Sequence, residues 1–502
     1  MPRGLEEATI QELQAAMRSG RASSAGLVQW YIRRITTFDR GAPGLHSIAE
    51  INPEALAIAR RLDRERKEKG PRGPLHGIPV VLKDSISTTD AMATTAGSLA
   101  LQGSRPRKEA MVAAKLREAG AVILGKANLS EWANFRSERS SSGWSARGGQ
   151  VRNPYVLDRT PCGSSSGSAV AVAANLASAA VGTETDGSIL CPSSVNGVVG
   201  IKTTLGLVSR AGVVPIAHSQ DTVGPIARTV ADAAILLGAM VGVDGDDPTT
   251  MSSRGKFHRD YTKFLDPKGL RGARIGIPRE VYFGYSDRAD EVAEAAIKKM
   301  RRLGAEIVDP ANIPTAKQMG DGELDVLLYE FKADLNRYLA GLARSKVRSL
   351  KDIIEFNRKH AGKELKYFGQ DLFLKAQKTT GLKDKKYLKA LRQTKLLSRQ
   401  RGIDFVMRKY RLDALVTPTT SPAWTIDLVD GDHGLGGSSQ PTALAGYPAV
   451  TVPAGFAFGL PIGITFMGRA FSEPTLIRLA YAFEQATRHR VPPRYKPATP
   501  ST

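Results

Sequence analysis

The chain has 502 residues, 42% of them hydrophobic, with 71 Lys and Arg against 49 Asp and Glu, a formal net charge of +22. That length and composition exclude a disordered chain and allow a large buried core. Two cysteines make no disulfide framework, and seven histidines without a CxxC give no recognisable zinc site. No run approaches the ~18 apolar residues of a membrane span. The first twenty residues lack the apolar centre of a signal peptide, so the default location is the cytoplasm.

Thr9 and Glu12 form a capping box ahead of a helix with Ile10, Leu13 and Met17 on one face. A second helix carries Leu27, Val28, Tyr31, Ile32 and Ile35. Asn52-Pro53 opens a third, with proline at the first helical position. Ile78 to Leu82 is a short apolar run that suits a buried strand. Residues 109–120 read as a helix and 121–124 as the next strand. Residues 130–168 are rich in Ser, Gly and Asn, and a loop that long inside a compact fold is functional as a rule.

A small-residue helix is expected from Gly167 to about Ala179, a strand at 197–202 and an apolar helix at 230–240. Residues 286–410 read as a mainly helical lobe beside the sheet. Strand signals return at 414–416, 449–452 and 462–466, before a final helix from Glu473. The tail at about 490–502 is polar and rich in proline, the composition of a frayed end. Helix–strand alternation with glycine at the junctions predicts α/β: one large α/β/α domain around a mixed sheet, with the helical lobe inserted.

Positive charge concentrates in that lobe. Residues 341–410 hold 20 Lys and Arg against 6 Asp and Glu, a local excess of +14. Aromatics are not interleaved as a base-stacking platform requires, so solvated helix faces are a better reading than a nucleic-acid footprint. Steering of acidic ligands remains open.

Three places concentrate reactive groups. Lys83-Asp84 directly follows the apolar strand, where desolvation lowers a lysine pKa towards that of a working base. Taken alone, such a lysine more often snorkels out of the core. Residues 161–168 run proline, cysteine, glycine and serines straight into a helix, whose free N–H groups suit an oxyanion. Residues 182–189, GTETDGSI, offer a serine at a tight turn after a strand. The spacing is not GxSxG, and no histidine lies close by.

These stretches resemble the amidase signature family: GIPVVLKD at 77–84, TTAGS at 94–98, AVILGKANLSEWA at 121–133, the serine-rich loop at 161–168, GTETDGSI at 182–189, residues 196–215 and residues 220–234. The likeness runs from about Ala8 to His489. Residues 139–155, LLYEFKADLNRYL at 327–339 and GYPAVTVP at 446–453 bring it nearest the peptide amidase branch. The resemblance implies a triad of Ser188 as nucleophile, Ser164 in a cis peptide as proton relay and Lys83 as base. It implies an oxyanion hole of backbone N–H groups from Thr185, Asp186, Gly187 and Ser188, with Ser165 and Thr183 supporting.

It also implies carboxamide hydrolysis without metal or cofactor, most closely of C-terminal peptide or amino-acid amides. Carbamate, anilide or ester hydrolysis and the amidase component of a tRNA-dependent amidotransferase are the alternatives. The substrate is a small molecule or short peptide, and the expected state is a monomer or homodimer. Trp132, Asn134, Trp144, Trp424, Tyr447 and Phe466 are pocket candidates, and each reads equally well as core packing. Cys162 and Ser166 depart from the family's glycine-rich loop; Cys162 and Cys191, which flank the two serines, read as small buried thiols.

Overall fold

The computed structural model describes residues 5–498. Its strands are β1 (Ile48–Ile51), β2 (Pro79–Lys83), β3 (Val122–Ala127), β4 (Trp144–Ser145), β5 (Gly149–Gln150), β6 (Ala179–Glu184), β7 (Val199–Lys202), β8 (Thr222–Ala227), β9 (Arg274–Gly276), β10 (Glu306–Val308), β11 (Ala414–Pro418), β12 (Ala449–Ala457) and β13 (Leu460–Met467). Eleven of them form one sheet, in the order β1-β3-β2-β6-β8-β7-β12-β13-β11-β9-β10, while β4 and β5 make a separate ribbon. β2 runs parallel to β3 and β6, and β9 parallel to β10 and β11. The other neighbours are antiparallel, so the sheet is mixed.

Both faces of the sheet are covered, because alternate residues of a strand point to opposite sides. In β2, Val80 and Leu82 join one apolar cluster and Val81 the other; in β3, Ile123 joins the first and Val122 and Leu124 the second. The helix Val230–Met240 packs in the first cluster and the helix Ser166–Ala173 in the second. Every residue of Ser166–Ala173 is buried, which its short side chains permit. The expected capping box at Thr9 and Glu12 is present.

The helical lobe begins later than expected. The helix Asp287–Arg302 places Ala293, Ala296, Ile297 and Met300 in the main sheet core, and β9 and β10 flank it in sequence. The lobe proper runs from the helix Glu323–Ala340 through Leu350–Lys359, Ala361–Glu364, Asp371–Gln377 and Lys385–Ser398 to Asp404–Lys409. Its apolar faces meet the long loop of the sheet domain: Phe331, Leu335 and Phe373 pack with Trp132 and Phe135. β8 was hidden from pattern reading by Gly224 and Pro225, which usually mark a turn. The expected frayed tail is partly tied down: Tyr495 N and Lys496 N donate to Pro154 O and Tyr155 O at 3.0 and 3.2 Å. Residues 499–502 lie outside the described residues.

One expectation is corrected. Cys162 and Cys191 are not free thiols but a disulfide, with Cα atoms 6.0 Å apart. The bond sits poorly with a cytoplasmic location, since the cytosol keeps thiols reduced. No described helix is long and apolar enough to cross a membrane. Closing a loop of sequence separation 29 restricts the unfolded chain by about 3–4 kcal/mol. Reduction, or a Cys162→Ser and Cys191→Ser double change, is expected to lower the apparent Tm by about 3 °C in scanning calorimetry. Identical melting of oxidised and reduced protein would contradict the bridge.

Candidate active site

Lys83 is the last residue of β2, with β3 on one side and β6 on the other. The side chain is wholly buried. Its Nζ meets three polar atoms: Ser164 Oγ at 2.8 Å, Thr183 Oγ1 at 2.9 Å and Thr183 O at 3.0 Å. Desolvation pulls the Lys83 pKa down to about 7, against a weaker upward pull from the charges of Glu184 and Asp221. The amine is therefore largely neutral above that pH. Next along the chain, Asp84 is locked by the Thr95 hydroxyl and by Arg147 Nη1 at 2.8 Å, which fixes the end of β2.

Ser164 follows a cis peptide bond after Gly163 and is fully buried. A Cβ on residue 163 would lie 2.2 Å from Ser130 Oγ and 3.0 Å from Asn134 Nδ2 and Ser142 Oγ, so a larger residue there would force Ser130 or the 163–164 segment to move. Ser165 stitches this loop to the other serine segment. Its N–H donates to Ser188 O at 3.1 Å, its hydroxyl donates to Thr183 O at 3.1 Å, and it accepts from Thr183 N at 3.3 Å. The disulfide ties the same two segments, two residues before Ser164 and three after Ser188.

Ser188 is 7% exposed and ends the turn after β6. Gly187 sits at φ 74°, a left-handed conformation that glycine adopts without penalty. Glu184 holds the turn from inside, accepting from Ile189 N at 2.6 Å and Leu190 N at 2.9 Å at the start of the helix Leu190–Val195. Burial raises its carboxyl pKa, and the nearby Lys202 opposes that rise. Thr185 Oγ1 donates to Asp221 Oδ1 at 2.6 Å, while Asp221 Oδ2 accepts from the N–H groups of Ile216 and Ala217. The turn is thus pinned at both ends by buried carboxylates.

Lys83, Ser164, Ser165, Thr183 and the 185–188 turn thus lie together. The pocket candidates divide. Asn134 donates to Ser142 Oγ at 3.0 Å beside Gly163, so it borders the site. Trp144 packs edge-on against Tyr367 and Phe368 and lines a groove of about 370 Å³ with Gln150, Lys363, Lys366 and Leu428. Trp424 is half-buried and donates from Nε1 to Asp432 Oδ1, which also accepts from Ser142 N at 3.1 Å.

Trp132, Tyr447 and Phe466 pack in apolar clusters, the core-packing alternative of the two readings. Trp132 packs edge-on against Phe373 of the lobe. Tyr447 is buried and donates its hydroxyl to Asp404 Oδ2 at 2.9 Å. Phe466 is fully buried in the main sheet core, against Phe483. Residues that pattern reading missed include Asp221, Gln220, Glu323 and Ser439. The first two lie inside the matched stretch 220–234, so a signal existed; Glu323 and Ser439 lie over a hundred positions away with none.

The sequence profile of the family described as Amidase matches residues 26–477. A crystal structure of the native peptide amidase from Stenotrophomonas maltophilia is 52% identical, with a TM-score of 0.94, covering 98% of this chain and 100% of that one. A probable amidase of Arabidopsis thaliana is 47% identical over 500 residues, 98% of this chain and 92% of the plant protein. A glutamyl-tRNA(Gln) amidotransferase component from Halorhodospira halophila is 36% identical over 499 residues, 96% of this chain and 98% of the relative. The chain belongs to the amidase family, and it is an amidase.

The crowding at Gly163 makes a direct test. Gly163→Ala is expected to push the 163–164 segment away from Lys83 and lower kcat by at least about tenfold. Far-ultraviolet circular dichroism should stay native and stability should fall by about 1–3 kcal/mol. A variant as active as the parent would mean that the segment tolerates displacement.

Proposed function

We propose that the protein hydrolyses carboxamides through Ser188, Ser164 and Lys83, with C-terminal peptide or amino-acid amides as the substrate class. The observation that carries this reading is the buried, largely neutral Lys83 amine 2.8 Å from Ser164 Oγ. A neutral amine has two N–H groups and one lone pair. Thr183 O can only accept, and Thr183 Oγ1 is the other neighbour besides Ser164. One N–H goes to Thr183 O, and the Thr183 and Ser164 hydroxyls share the second N–H and the lone pair; the relay uses the arrangement in which Ser164 donates to the lone pair.

In this arrangement Ser164 passes its proton to Lys83 as it takes one from Ser188. The Ser188 oxygen attacks the amide carbon. The backbone N–H groups of Thr185, Asp186, Gly187 and Ser188 receive the charge that develops on the carbonyl oxygen, a donor of this kind being worth about 3 kcal/mol of barrier. Lys83, now protonated, returns a proton through Ser164 to the departing nitrogen, and ammonia leaves. Water then takes the leaving group's place, is deprotonated by the same relay and releases the acid from the acyl-enzyme. No metal or cofactor is called for by these steps.

Likeness to the peptide amidase structure, at 52% identity over nearly the whole chain, supports a primary-amide substrate. Hydrolysis of carbamates, anilides or esters by the same groups is the second reading within hydrolases. The likeness to the amidotransferase component, at 36%, gives a third, in which partner proteins supply the context.

The substrate class is tested by kcat/KM for a C-terminally amidated dipeptide, an anilide and a small aryl carbamate, with Ser188→Ala as the blank. Preference for the amidated dipeptide is expected; preference for the carbamate or anilide would move the function to another amide-type substrate. Turnover only of glutamine, and only with partner proteins, would favour the amidotransferase reading. Because Lys83 works as a base only when neutral, kcat/KM should rise with pH through about 7 with unit slope. A flat profile from pH 5 to 10 would argue against a lysine base. Lys83→Ala should lower kcat by at least about 10³-fold with the fold intact.

A further inference from the structure

A groove of about 370 Å³ lies where the β4–β5 ribbon meets the helical lobe. From the ribbon come Trp144 and Gln150, which stand opposite each other in its register. From the lobe come Lys363, in the short helix Ala361–Glu364, and Lys366 and Tyr367 just after it. Leu428 adds an apolar side chain.

The aromatic lining is rigidly held. Trp144 is 5% exposed and meets Tyr367 edge-on, with ring centres 5.5 Å apart. The fully buried Arg136 guanidinium lies 5.3 Å from the Trp144 ring centre and 4.2 Å from that of Phe368. Arg136 is itself fixed by Glu131 and by the carbonyls of Glu364 and Phe368. A ring locked on this many sides presents a preformed surface, which spares a ligand the cost of ordering it.

The polar groups define what fits there. Gln150 spends both amide N–H bonds, on Ser142 O at 2.9 Å and on Val151 O at 2.8 Å, while its Oε1 is buried and meets no donor. A peptide N–H is the partner that such an oxygen lacks. Lys363 and Lys366 are exposed, and neither forms an ion pair among the described residues; Lys366 Nζ lies 4.9 Å from the Tyr367 ring centre. Glu364, between the two lysines in sequence, turns its carboxylate inward, accepting from Leu99 N at 2.7 Å and Ser98 Oγ at 3.2 Å. Asp427, next to Leu428, gives its own to Val429 N and Asp430 N at 2.8 and 2.9 Å. Aromatic surface, an unmet acceptor and a positive rim together suit an extended peptide with a carboxylate side chain. The excess of +14 over residues 341–410 steers such a ligand from a distance.

The ribbon also rests on the segment that carries Ser164. Ser142, whose carbonyl takes the Gln150 N–H, has its hydroxyl 3.0 Å from the place of a Cβ on Gly163. A Cβ on Gly143 would lie 2.7 Å from Pro161 Cγ. We propose that this groove is a subsite for the part of a peptide amide that precedes the amide group, and that Lys363 and Lys366 select a carboxylate side chain there. The inference rests on the reading of the substrates as peptide amides cleaved through Ser188.

The test is kcat/KM for amidated tetrapeptides in which Glu, Gln or Lys takes each of the three upstream positions in turn. It is run at low salt on the wild type and on the charge reversal Lys363→Glu with Lys366→Glu, with circular dichroism recorded for both. At one position the wild type should prefer Glu over Gln by at least about threefold, the scale of exposed ion pairs. At about 1 M salt, where charges are screened within about 3 Å, that preference should shrink towards one. The reversed variant should lose it and favour Lys at the same position, an outcome that a merely structural role for the lysines does not produce. A wild-type ratio below about threefold at every position, or a Glu preference kept in the reversed variant, overturns the proposal and leaves the chemistry at Ser188 standing. Failure of the folded wild type to hydrolyse any amidated peptide removes the reading on which the subsite rests, and the subsite with it.

Discussion

A buried primary amine that touches no carboxylate among the described residues is the constraint around which the site is arranged. Lys83 sits at the end of a central strand where water cannot reach it, so its charged form is disfavoured. A neutral amine still needs its hydrogen-bonding groups met. Thr183, on the neighbouring parallel strand β6, offers two acceptors, and Ser164 completes the set. Parallel pairing of β2 with β6 is what sets the lysine beside the threonine. The turn that carries Ser188 is the continuation of that same strand.

Low basicity alone does not single out Lys83. Lys126 and Lys202 are equally buried, and desolvation brings each down to about 8. Their partners separate the three. Lys126 donates to Ile86 O and to Thr94 Oγ1 at 2.7 Å, which holds a loop. Lys202 faces Glu184 and Glu473 and anchors Tyr447 O. Lys83 is the one joined to a serine, on a segment that the missing side chain of Gly163 lets pass close to its neighbours. Hydrogen-bond geometry, not a lowered pKa, separates a candidate base from a structural lysine.

Around this centre, buried carboxylates tie one backbone segment to another, some of them through an arginine. Glu184 receives the first N–H groups of the helix after Ser188, Asp221 receives those of Ile216 and Ala217, and Asp84 is held by Thr95 and Arg147. Each joins the 185–188 turn or the end of β2 to a different loop. The lobe is fastened in the same manner: Arg136, buried in the long loop, pairs with Glu131 and reaches Glu364 O and Phe368 O. Backbone groups left over at strand ends are thus met by side chains rather than by water. The pocket wall near Asn134 and Trp144 is braced for that reason.

By itself, the sequence determined the fold class and the chemistry-bearing segments. Short apolar runs with glycine nearby announced β2, β3 and β12. The order of Lys83, the 161–168 loop and GTETDGSI carried the family resemblance, and the departures at Cys162 and Ser166 were visible as departures. Local patterns could not say what those departures do. The bond between Cys162 and Cys191 depends on how the loop before Ser164 meets the helix after Ser188, a contact across 29 positions. Trp132, Tyr447 and Phe466 look the same in sequence whether they line a pocket or fill a core; only packing against Phe373, Asp404 and Phe483 decided it. β8 was masked by its Gly-Pro step, and the lobe boundary by the amphipathic helix Asp287–Arg302, whose apolar face belongs to the sheet. Short-range pattern fixes which residues can be reactive; long-range packing fixes which of them meet, because desolvation and hydrogen-bond partners are properties of the assembled interior.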